Sequence, residues 1–253
     1  MKQKVAMLCL LFALTTLPAC AGPLKYSAAP IEAWVEDKDT NQPLEGVVVV
    51  AHWALESTSR IIPHQTNPAG SLMILEAVTD KDGRFYFPAW GPKWHLGSGE
   101  LTDNDPELIL FKSGYKYLRV SNSRYLRPSK YSDVGKPSGT ESKPTGSKRI
   151  SFWSGERIGL EKFKGTIQAY ENHFESLNDV LGYIAADNPE DCGWKKIPDT
   201  IRAMNRERMR LIAQGVNPNT LSSVDKRLLM NDEYFIKKGG CGSPRVFFRE
   251  LQQ

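Results

Sequence analysis

The pattern of apolar and polar positions changes its period once along the chain. From residue 31 to 164, short apolar-alternating runs such as 31–36 and 84–87 are separated by turn residues, as in an antiparallel β-sandwich or barrel. From residue 165 to 253, apolar residues recur at steps of three and four, which is the helical period. The pattern therefore predicts an α+β fold, with a β-domain over 31–164 followed by a small helical region over 165–253.

Three helices are predicted in the helical region. The first begins after Thr166, which can act as an N-cap, and the second runs from Pro198 to Gln214. A shorter third helix is predicted around Leu221 to Met230. Within the β-domain, residues 121–149 are rich in Ser, Pro, Gly, Lys and Thr, and this composition predicts a flexible excursion.

The first 20 residues have the composition of a targeting segment. Two lysines precede an uncharged, largely apolar run of 13 residues that ends at Leu17, which is too short to span a bilayer and fits a signal peptide. Leu17-Pro18-Ala19-Cys20 follows and resembles a bacterial lipobox, in which the Cys becomes the lipidated first residue of the mature protein. We therefore predict a signal peptide over 1–19, lipidation of Cys20 and a linker over 20–30.

A second interpretation of this segment is ordinary cleavage after Ala19-Cys20-Ala21, which is a small-residue site. In Gram-negative lipoproteins, the residue after the lipidated Cys influences sorting, and by that resemblance Ala21 favours the outer membrane. The expected location is the cell envelope, with a lipid anchor in the outer membrane and the protein facing the periplasm.

Composition narrows the classes of function. An apolar share of 40% with 25% charged residues excludes a disordered chain, and a mean hydropathy of −0.41 excludes a multi-span membrane protein. The chain has 33 basic and 29 acidic residues. Removal of the leader with Lys2 and Lys4 leaves 31 basic and 29 acidic residues, a net charge of +2. So small a charge argues against a nucleic-acid partner.

The cysteines fit an exported protein. Cys9 lies in the leader and Cys20 in the lipobox, so Cys192 and Cys241 remain as an even pair. In an oxidising compartment we expect these two to form a disulfide, which would close a loop of 49 positions and contribute about 4 kcal/mol. The alternative is a pair of buried free thiols.

Three motifs in the β-domain indicate a family. They are a strand, turn and strand over 35–49, the hairpin Thr79-Asp80-Lys81-Asp82-Gly83-Arg84-Phe85, and the turn Phe111-Lys112-Ser113-Gly114-Tyr115. In this order they resemble the carboxypeptidase regulatory-like domain over about 90 residues. The resemblance implies a transthyretin-like β-sandwich. It implies no particular activity, because this domain is an appended module in many exported proteins.

Residues that could carry metal chemistry are sparse. His52, His64 and His95 lie in the β-domain and could converge on a transition metal, but the chain has no H-x-H, H-x-x-E or H-E-x-x-H spacing. We therefore expect separate histidines, no cofactor and no peptidase activity. Intradiol dioxygenases, which have related sandwiches, hold their iron partly through an H-x-H segment, and this chain lacks that segment. Two acidic clusters, at 37–41 and 103–107, are expected to form turns rather than calcium sites.

Two surfaces are candidates for ligand binding. Trp90 and Trp94 lie in a Pro/Gly-rich segment and could form an aromatic platform for a carbohydrate or peptide. The second surface is a basic cluster in the second predicted helix. It could attract anionic lipid or another envelope polymer; the alternative is that it is simply a solvated helix face. Its members are Arg202, Arg206, Arg208 and Arg210.

Three functions remain open at this stage. The first is a non-catalytic envelope lipoprotein that acts as a binding or scaffolding module, held at the membrane by its lipid and contacting an envelope protein or polysaccharide. The second is a metal-dependent or accessory enzyme component that uses the β-domain histidines. The third is an inhibitor, immunity or assembly factor that acts through the helical tail. We expect the first, and therefore no enzymatic activity.

Overall fold

The computed structural model describes residues 24–58, 65–102, 104–122, 148–221 and 224–249, and within them the fold is α+β, as predicted. The strands are β1 (Leu24–Ala28), β2 (Ile31–Asp37), β3 (Val48–Thr58), β4 (Thr66–Val78), β5 (Arg84–Phe87), β6 (Trp90–His95), β7 (Glu100–Leu101), β8 (Glu107–Phe111), β9 (Leu118–Val120), β10 (Lys148–Arg149) and β11 (Arg157–Leu160).

The helices all follow the strands. They are α1 (Ile167–Gly182), α2 (Gly193–Lys196), α3 (Pro198–Ala213), α4 (Val224–Met230), α5 (Asp232–Tyr234) and α6 (Pro244–Phe247), with π-helical turns at Tyr183–Asp187 and Phe235–Gly239 and a 3₁₀ turn at Pro189–Asp191. No helix in the described part of the chain is both long enough and apolar enough to cross a membrane.

The described strands form three sheets. The largest has the order β4-β3-β8-β9, with β7 also pairing with β3, and the smaller two have the orders β11-β2-β5 and β10-β1-β6. The prediction of a purely antiparallel arrangement is wrong at two pairs, because β11 runs parallel to β2 and β10 runs parallel to β1. Each of these strands lies far along the chain from its parallel partner, and parallel pairing requires a long crossover of this kind.

A first hydrophobic core, the inner core, lies between the sheets. Alternate residues of β2 are buried, and Ala33 and Val35 pack there with Phe85 and Phe87 of β5 and with Val49 of β3. The hairpin before β5 needs a glycine at Gly83, where φ is +72° and a Cβ would lie 2.3 Å from the backbone oxygen of Val35. The hairpin motif therefore has a structural role.

A second core, the helix-facing core, lies on the other face of the five-stranded sheet. Val48 and Val50 of β3 and Ile109 of β8 pack there against α1 residues that include Phe174 and Leu181. Both faces of β3 are buried at Val48–Val50, which explains the unbroken run of β-branched residues. The helical region therefore completes the burial of the sheet.

Local signals account for the two long helices. The Thr166 hydroxyl accepts a hydrogen bond from the Ala169 amide at 3.2 Å and caps α1. The start of α3 lies at Pro198, as predicted, and the Glu76 carboxylate of β4 accepts bonds from the amides of Asp199 (2.9 Å) and Thr200 (2.6 Å). This carboxylate therefore joins the sheet to the N-terminus of a helix.

Several predictions fall on residues that lie outside the described ranges. These are the signal peptide over 1–19, the lipidated Cys20, the start of the 20–30 linker, His64 and residues 123–147 of the 121–149 excursion. They stay predictions.

Candidate functional site

A cleft opens between the β3–β4 hairpin and the end of α1. Its volume is about 470 Å³. We call it the acidic cleft because three carboxylates line it, together with apolar and polar side chains. The lining residues are His52, Ala54, Leu55, Glu56, Thr66, Pro68, Glu107, Arg119, Asp179, Val180, Tyr183 and Ile184.

The acidic cleft forms because β3 extends beyond the end of its neighbour β8. Strand β3 has 11 residues, but β8 pairs with it only between Val48 and His52. Beyond His52, β3 continues beside β4 and the two-residue β7. On the helical side, α1 gives way at Tyr183 to a π-helical turn, a feature that is frequent at functional sites.

The charge in the acidic cleft is unbalanced. The Arg119 Nε lies 2.5 Å from Glu107 Oε1, so these two residues form an ion pair. Glu56 and Asp179 have no ion-pair partner among the described residues, which leaves the cleft with an excess of negative charge. The half-buried Val180 supplies apolar surface. This arrangement suits a cationic group on an apolar stem.

His52 forms part of the cleft wall but is almost entirely buried, with 2% of its surface exposed. Its Nε2 and the Ser71 Oγ are 2.9 Å apart, and the Tyr183 ring meets it edge-on at 6.3 Å. Burial, with smaller contributions from the charges of Arg119 and Lys196, lowers the pKa of His52 to about 4. The imidazole is therefore neutral at pH 7 and its Nε2 is engaged with Ser71.

A smaller adjoining cleft of about 260 Å³ shares Pro68 and Tyr183 with the acidic cleft. In its wall, the Ser71 amide donates a hydrogen bond to Asp191 Oδ2 at 2.7 Å. Asp191 precedes Cys192, which is disulfide-bonded to Cys241 with 5.6 Å between the Cα atoms. The predicted disulfide is thus present in the structure, and it lies beside the adjoining cleft.

The predicted metal candidates are separate in the structure. His52 bonds to Ser71, whereas His95 Nε2 lies 3.0 Å from the Ser98 carbonyl oxygen in an exposed loop. Across the described ranges, no three His, Cys, Asp or Glu side chains are arranged to hold a metal ion. His64 lies outside those ranges.

The two acidic clusters take part in local hydrogen bonding. Asp37 Oδ1 accepts bonds from the amides of Asp39 (2.9 Å) and Thr40 (3.0 Å), and Tyr115 Oη donates to its Oδ2 at 2.8 Å. The bond from Tyr115, followed by those amides, lowers the pKa of Asp37. The Asp37 carboxylate therefore stabilises the turn after β2.

The other cluster contains a buried carboxyl, Asp105. It accepts bonds from the amides of Thr102 (2.8 Å) and Ala54 (3.3 Å). Burial nevertheless raises the pKa of Asp105 to about 7. Glu107 of the same cluster faces the acidic cleft, where it pairs with Arg119.

The two tryptophans predicted to form a platform have different environments. Trp90 is buried and packs edge-on against Trp53 at 5.3 Å in the inner core. Trp94 is 58% exposed, and the Lys25 Nζ lies 5.3 Å from its ring centre. Only Trp94 presents its ring to a ligand from outside.

The arginines of α3 also separate. Arg202 lies 3.4 Å from Asp199, and Arg206 is exposed. Arg208 pairs with the buried Asp225 at 3.2 Å, and Arg210 pairs with the buried Glu207 at 2.5 Å. The predicted basic surface therefore has Arg206 as its exposed member, while Arg208 and Arg210 bind buried carboxylates.

Glu207 fixes the helical region to the sheet. Besides Arg210, it accepts hydrogen bonds from Tyr170 Oη of α1 at 2.6 Å and from Ser113 Oγ, in the turn after β8. Burial acts to raise the pKa of Glu207, but the bonds from Arg210, Ser113 and Tyr170 outweigh it and lower the pKa. The charged carboxylate therefore joins two helices and a turn.

Four charged or aromatic residues of the cleft are not predicted by any motif in the sequence: Glu56, Arg119, Asp179 and Tyr183. They come from three separate elements and the start of the π-helical turn, and no spacing rule connects them. The sequence does point to two other cleft residues, His52 as a histidine of the β-domain and Glu107 in the acidic cluster at 103–107.

Comparison with known proteins gives no assignment. No protein-family model matches the chain, and no curated protein matches it. Similar solved structures include 3-chlorocatechol 1,2-dioxygenase from Rhodococcus opacus 1CP, which is 18% identical over 58% of this chain and 64% of that chain, with a TM-score of 0.28. This chain thus spans less than two thirds of that structure.

Two further solved structures are similar at the same low level. The dioxygenase domain of a dioxygenase carbohydrate-binding protein fusion from Streptomyces sp. SirexAA-E is 13% identical over 59% of this chain and 86% of that chain, with a TM-score of 0.26. A 9R-lipoxygenase from Cyanothece PCC8801 is 13% identical over 86% of this chain and 28% of that chain, with a TM-score of 0.22. Likenesses of this degree show neither a family nor a function.

Proposed function

We propose that the protein is a non-catalytic, lipid-tethered module of the cell envelope that binds its ligand in the acidic cleft. The observation that carries this proposal is the cleft itself, about 470 Å³ in volume and bounded by the sheet on one side and by α1 and its π-helical turn on the other. Clefts of this size are the usual binding sites of proteins.

The lining favours a ligand with a cationic group on an apolar stem. Glu56 and Asp179 offer carboxylates without an ion-pair partner among the described residues, while the half-buried Val180 and the exposed Pro68 offer apolar contact. Lysine side chains of an envelope protein combine both features. We therefore propose a basic segment of an envelope protein as the ligand.

The tether is supported by the sequence and by where the fold begins. Leu17-Pro18-Ala19-Cys20 resembles a lipobox, and the first strand starts at Leu24, four positions after Cys20. A lipid at Cys20 would therefore hold the folded part close to the membrane. We propose the outer membrane, facing the periplasm, as the location.

The finer fold assignment belongs to the same proposal. We propose that the sheets form a transthyretin-like β-sandwich of the carboxypeptidase regulatory-like kind. It is supported by the shared inner core between the β11-β2-β5 sheet and the five-stranded sheet, and by the Gly83 and Gly114 turns, where φ is +72° and +80°. Such a domain is an appended module in many exported proteins, which is compatible with a binding role.

The ligand proposal is tested on a Cys20→Ser chain that lacks the leader. This chain is titrated with a lysine-rich peptide and, separately, with the same peptide after acetylation of its lysines. We expect binding of the unmodified peptide only, weakened about tenfold by Glu56→Gln combined with Asp179→Asn, since each lost charge pair contributes about 1 kcal/mol or less at a partly exposed site. Glu233→Gln, on the exposed α5, is the matched control. Equal affinity of all three chains would contradict the proposal.

The tether is tested separately by cell fractionation and mass spectrometry. The wild-type chain should appear in the outer-membrane fraction with a lipid mass on Cys20, and Cys20→Ala should appear in the soluble fraction. An unmodified Cys20 in a soluble wild-type chain would refute the tether while leaving the cleft proposal intact.

A further inference from the structure

The sheet β10-β1-β6 lies where the chain leaves its predicted tether. Its first strand begins at Leu24, and only residues 21–23 separate that position from Cys20. Covalent geometry limits four Cα–Cα steps to about 14 Å. If the acyl chains of Cys20 enter the bilayer, Leu24 cannot lie further than this from the lipid headgroups.

Cross-strand pairing shows which side chains share the outer face of this sheet. Lys25 of β1 pairs with Trp94 of β6, and Ser27 of β1 pairs with Lys148 of β10. Directly paired residues project from the same face. Tyr26 and Ala28, at the alternate positions, are buried in the inner core, so Lys25, Trp94 and Lys148 face outward.

Two large apolar side chains are exposed on β6 and in the loop that follows it. Trp94 is 58% exposed, and Leu96, in the loop after β6, is 84% exposed. Both side chains are therefore available for contact with a partner or a membrane. Trp is also enriched at membrane–water interfaces, because its ring is apolar and its N–H is polar.

The charge on this sheet agrees with a membrane surface. Its three strands contain lysines at positions 25, 93 and 148 and no acidic residue. Lys25 and Lys148 are exposed, and exposed lysines beside an anionic leaflet are attracted to it. Apolar side chains flanked by lysines are typical of surfaces that lie on a bilayer.

We infer that Lys25, Trp94, Leu96 and Lys148 form a membrane-contacting face, which rests on anionic lipid headgroups beside the Cys20 anchor and orients the protein. The inference rests on the proposed tether for its position. In this orientation the lipid chains anchor the protein, and contact between the face and the bilayer restricts rotation of the folded part about residues 21–23. The occupant of the face is therefore the bilayer that holds the anchor.

The test supplies the anchor chemically, so that it does not depend on lipidation in cells. In a chain that starts at Cys20, the disulfide Cys192–Cys241 leaves Cys20 as the single thiol. This thiol is coupled to maleimide lipid in vesicles of phosphatidylethanolamine and phosphatidylglycerol that also contain a spin-labelled, fluorescence-quenching lipid. We expect quenching of tryptophan emission in the wild-type chain and its loss in Trp94→Phe.

A second measurement uses the untethered Cys20→Ser chain and the same vesicles without maleimide lipid. We expect weak co-sedimentation that Trp94→Ala with Leu96→Ala reduces tenfold or more and that falls at high salt. The matched control replaces two exposed apolar residues of the helical region, Met230→Ala with Val246→Ala, and should bind as the wild type does.

Two results would overturn the inference. One is equal quenching in the coupled wild-type and Trp94→Phe chains, which would show that the ring does not reach the lipid. The other is a dimer of the Cys20→Ser chain that Trp94→Ala abolishes, which would assign the face to a second copy of the protein. A chain that is never lipidated in cells would refute the proposed tether but would leave these vesicle results unchanged.

Discussion

The five-stranded sheet has a hydrophobic core on each face, and the two cores are closed by different interactions. The inner core joins strands by apolar packing, as in the contacts of Phe85, Phe87 and Val49. The helix-facing core is also apolar at its centre, but polar bonds surround it, among them those of Glu207 and Asp225. The strands also contain buried polar groups such as Asp105. The difference is therefore that backbone ladders align the strands, whereas side-chain contacts alone position the helices on the sheet.

The physical reason lies in how each partner is held. Strands are aligned by their backbone ladders, so side-chain packing suffices to fix their register. A helix on a sheet has no ladder to that sheet and can slide or rotate. Glu76, Glu207 and Asp191 each bond across this boundary, to Thr200, Ser113 and Ser71 respectively, and remove that freedom.

Removal of the disulfide should have the largest effect and should separate the two cores. In a Cys192→Ala, Cys241→Ala chain we expect a loss of about 4 kcal/mol of unfolding free energy, because a loop of 49 positions regains its entropy in the unfolded state. Hydrogen exchange should become faster in α3 and α4 and stay slow in β2 and β5. Equal acceleration in both regions would show that the cores unfold as one unit.

The buried ion pair of α3 gives a matched test on one helix. Arg208→Ala should cost about 3 kcal/mol, because it leaves the charge of Asp225 buried without its partner. Arg206→Ala, two positions away and exposed, should change stability by less than about 0.5 kcal/mol. Urea unfolding measures both. Similar values for the two substitutions would contradict the view that specific polar bonds hold the helices.

The pH dependence of the unfolding free energy should show that His52 is neutral in the folded protein. The pKa of His52 is lowered to about 4 in the folded state from about 6.5 in the unfolded chain. Its neutral form therefore stabilises the fold above pH 6.5, and about 3 kcal/mol of that stabilisation is lost as pH falls through 4.

Asp105 acts in the opposite direction, since its pKa is raised to about 7 and its stabilisation is lost as pH rises through that value. The informative quantity is therefore the difference between the wild type and His52→Leu, in which the contribution of Asp105 cancels. This difference should shrink between pH 6.5 and 4 in urea titrations. A difference that is constant with pH would rule out a neutral, buried His52.

A smaller loss than that of the disulfide or the ion pair should come from either of two adjacent valines. Val49 and Val50 are both fully buried but face the inner core and the helix-facing core respectively. Each change to Ala should cost about 2 kcal/mol. Hydrogen exchange should accelerate beside β2 and β5 in Val49→Ala, but in α1 and α3 in Val50→Ala. The same pattern of hydrogen exchange in both variants would contradict the division into two cores.

The sequence predicted the parts of this architecture that local rules control. The change of period at residue 165, the Thr166 cap, the start of α3 at Pro198 and the glycine turn at Gly83 follow from propensity and turn chemistry, and the structure confirms them. The direction of β10 and β11 did not follow, because alternation fixes which face a strand buries but not which way it runs.

The candidate site was less predictable. The acidic cleft combines Glu56 of β3, Arg119 of β9 and Asp179 of α1, and their distances in sequence carry no periodic signal. The arginines of α3 looked alike in sequence, yet Arg208 and Arg210 differ from Arg206 because buried carboxylates lie opposite them. Tertiary contacts of this kind are set by helix packing on the sheet, which a single sequence does not encode in any local pattern.

The parallel pairing of β11 with β2 has a consequence for how the chain comes together during synthesis. Trp34 to Asp37 of β2 pair with residues Arg157 to Leu160, so one edge of an early strand stays open until a late segment has been made. An open strand edge invites pairing with other chains. Synthesis of the chain therefore includes an interval in which this edge of β2 has no partner strand, and the interval ends only when β11 has been made.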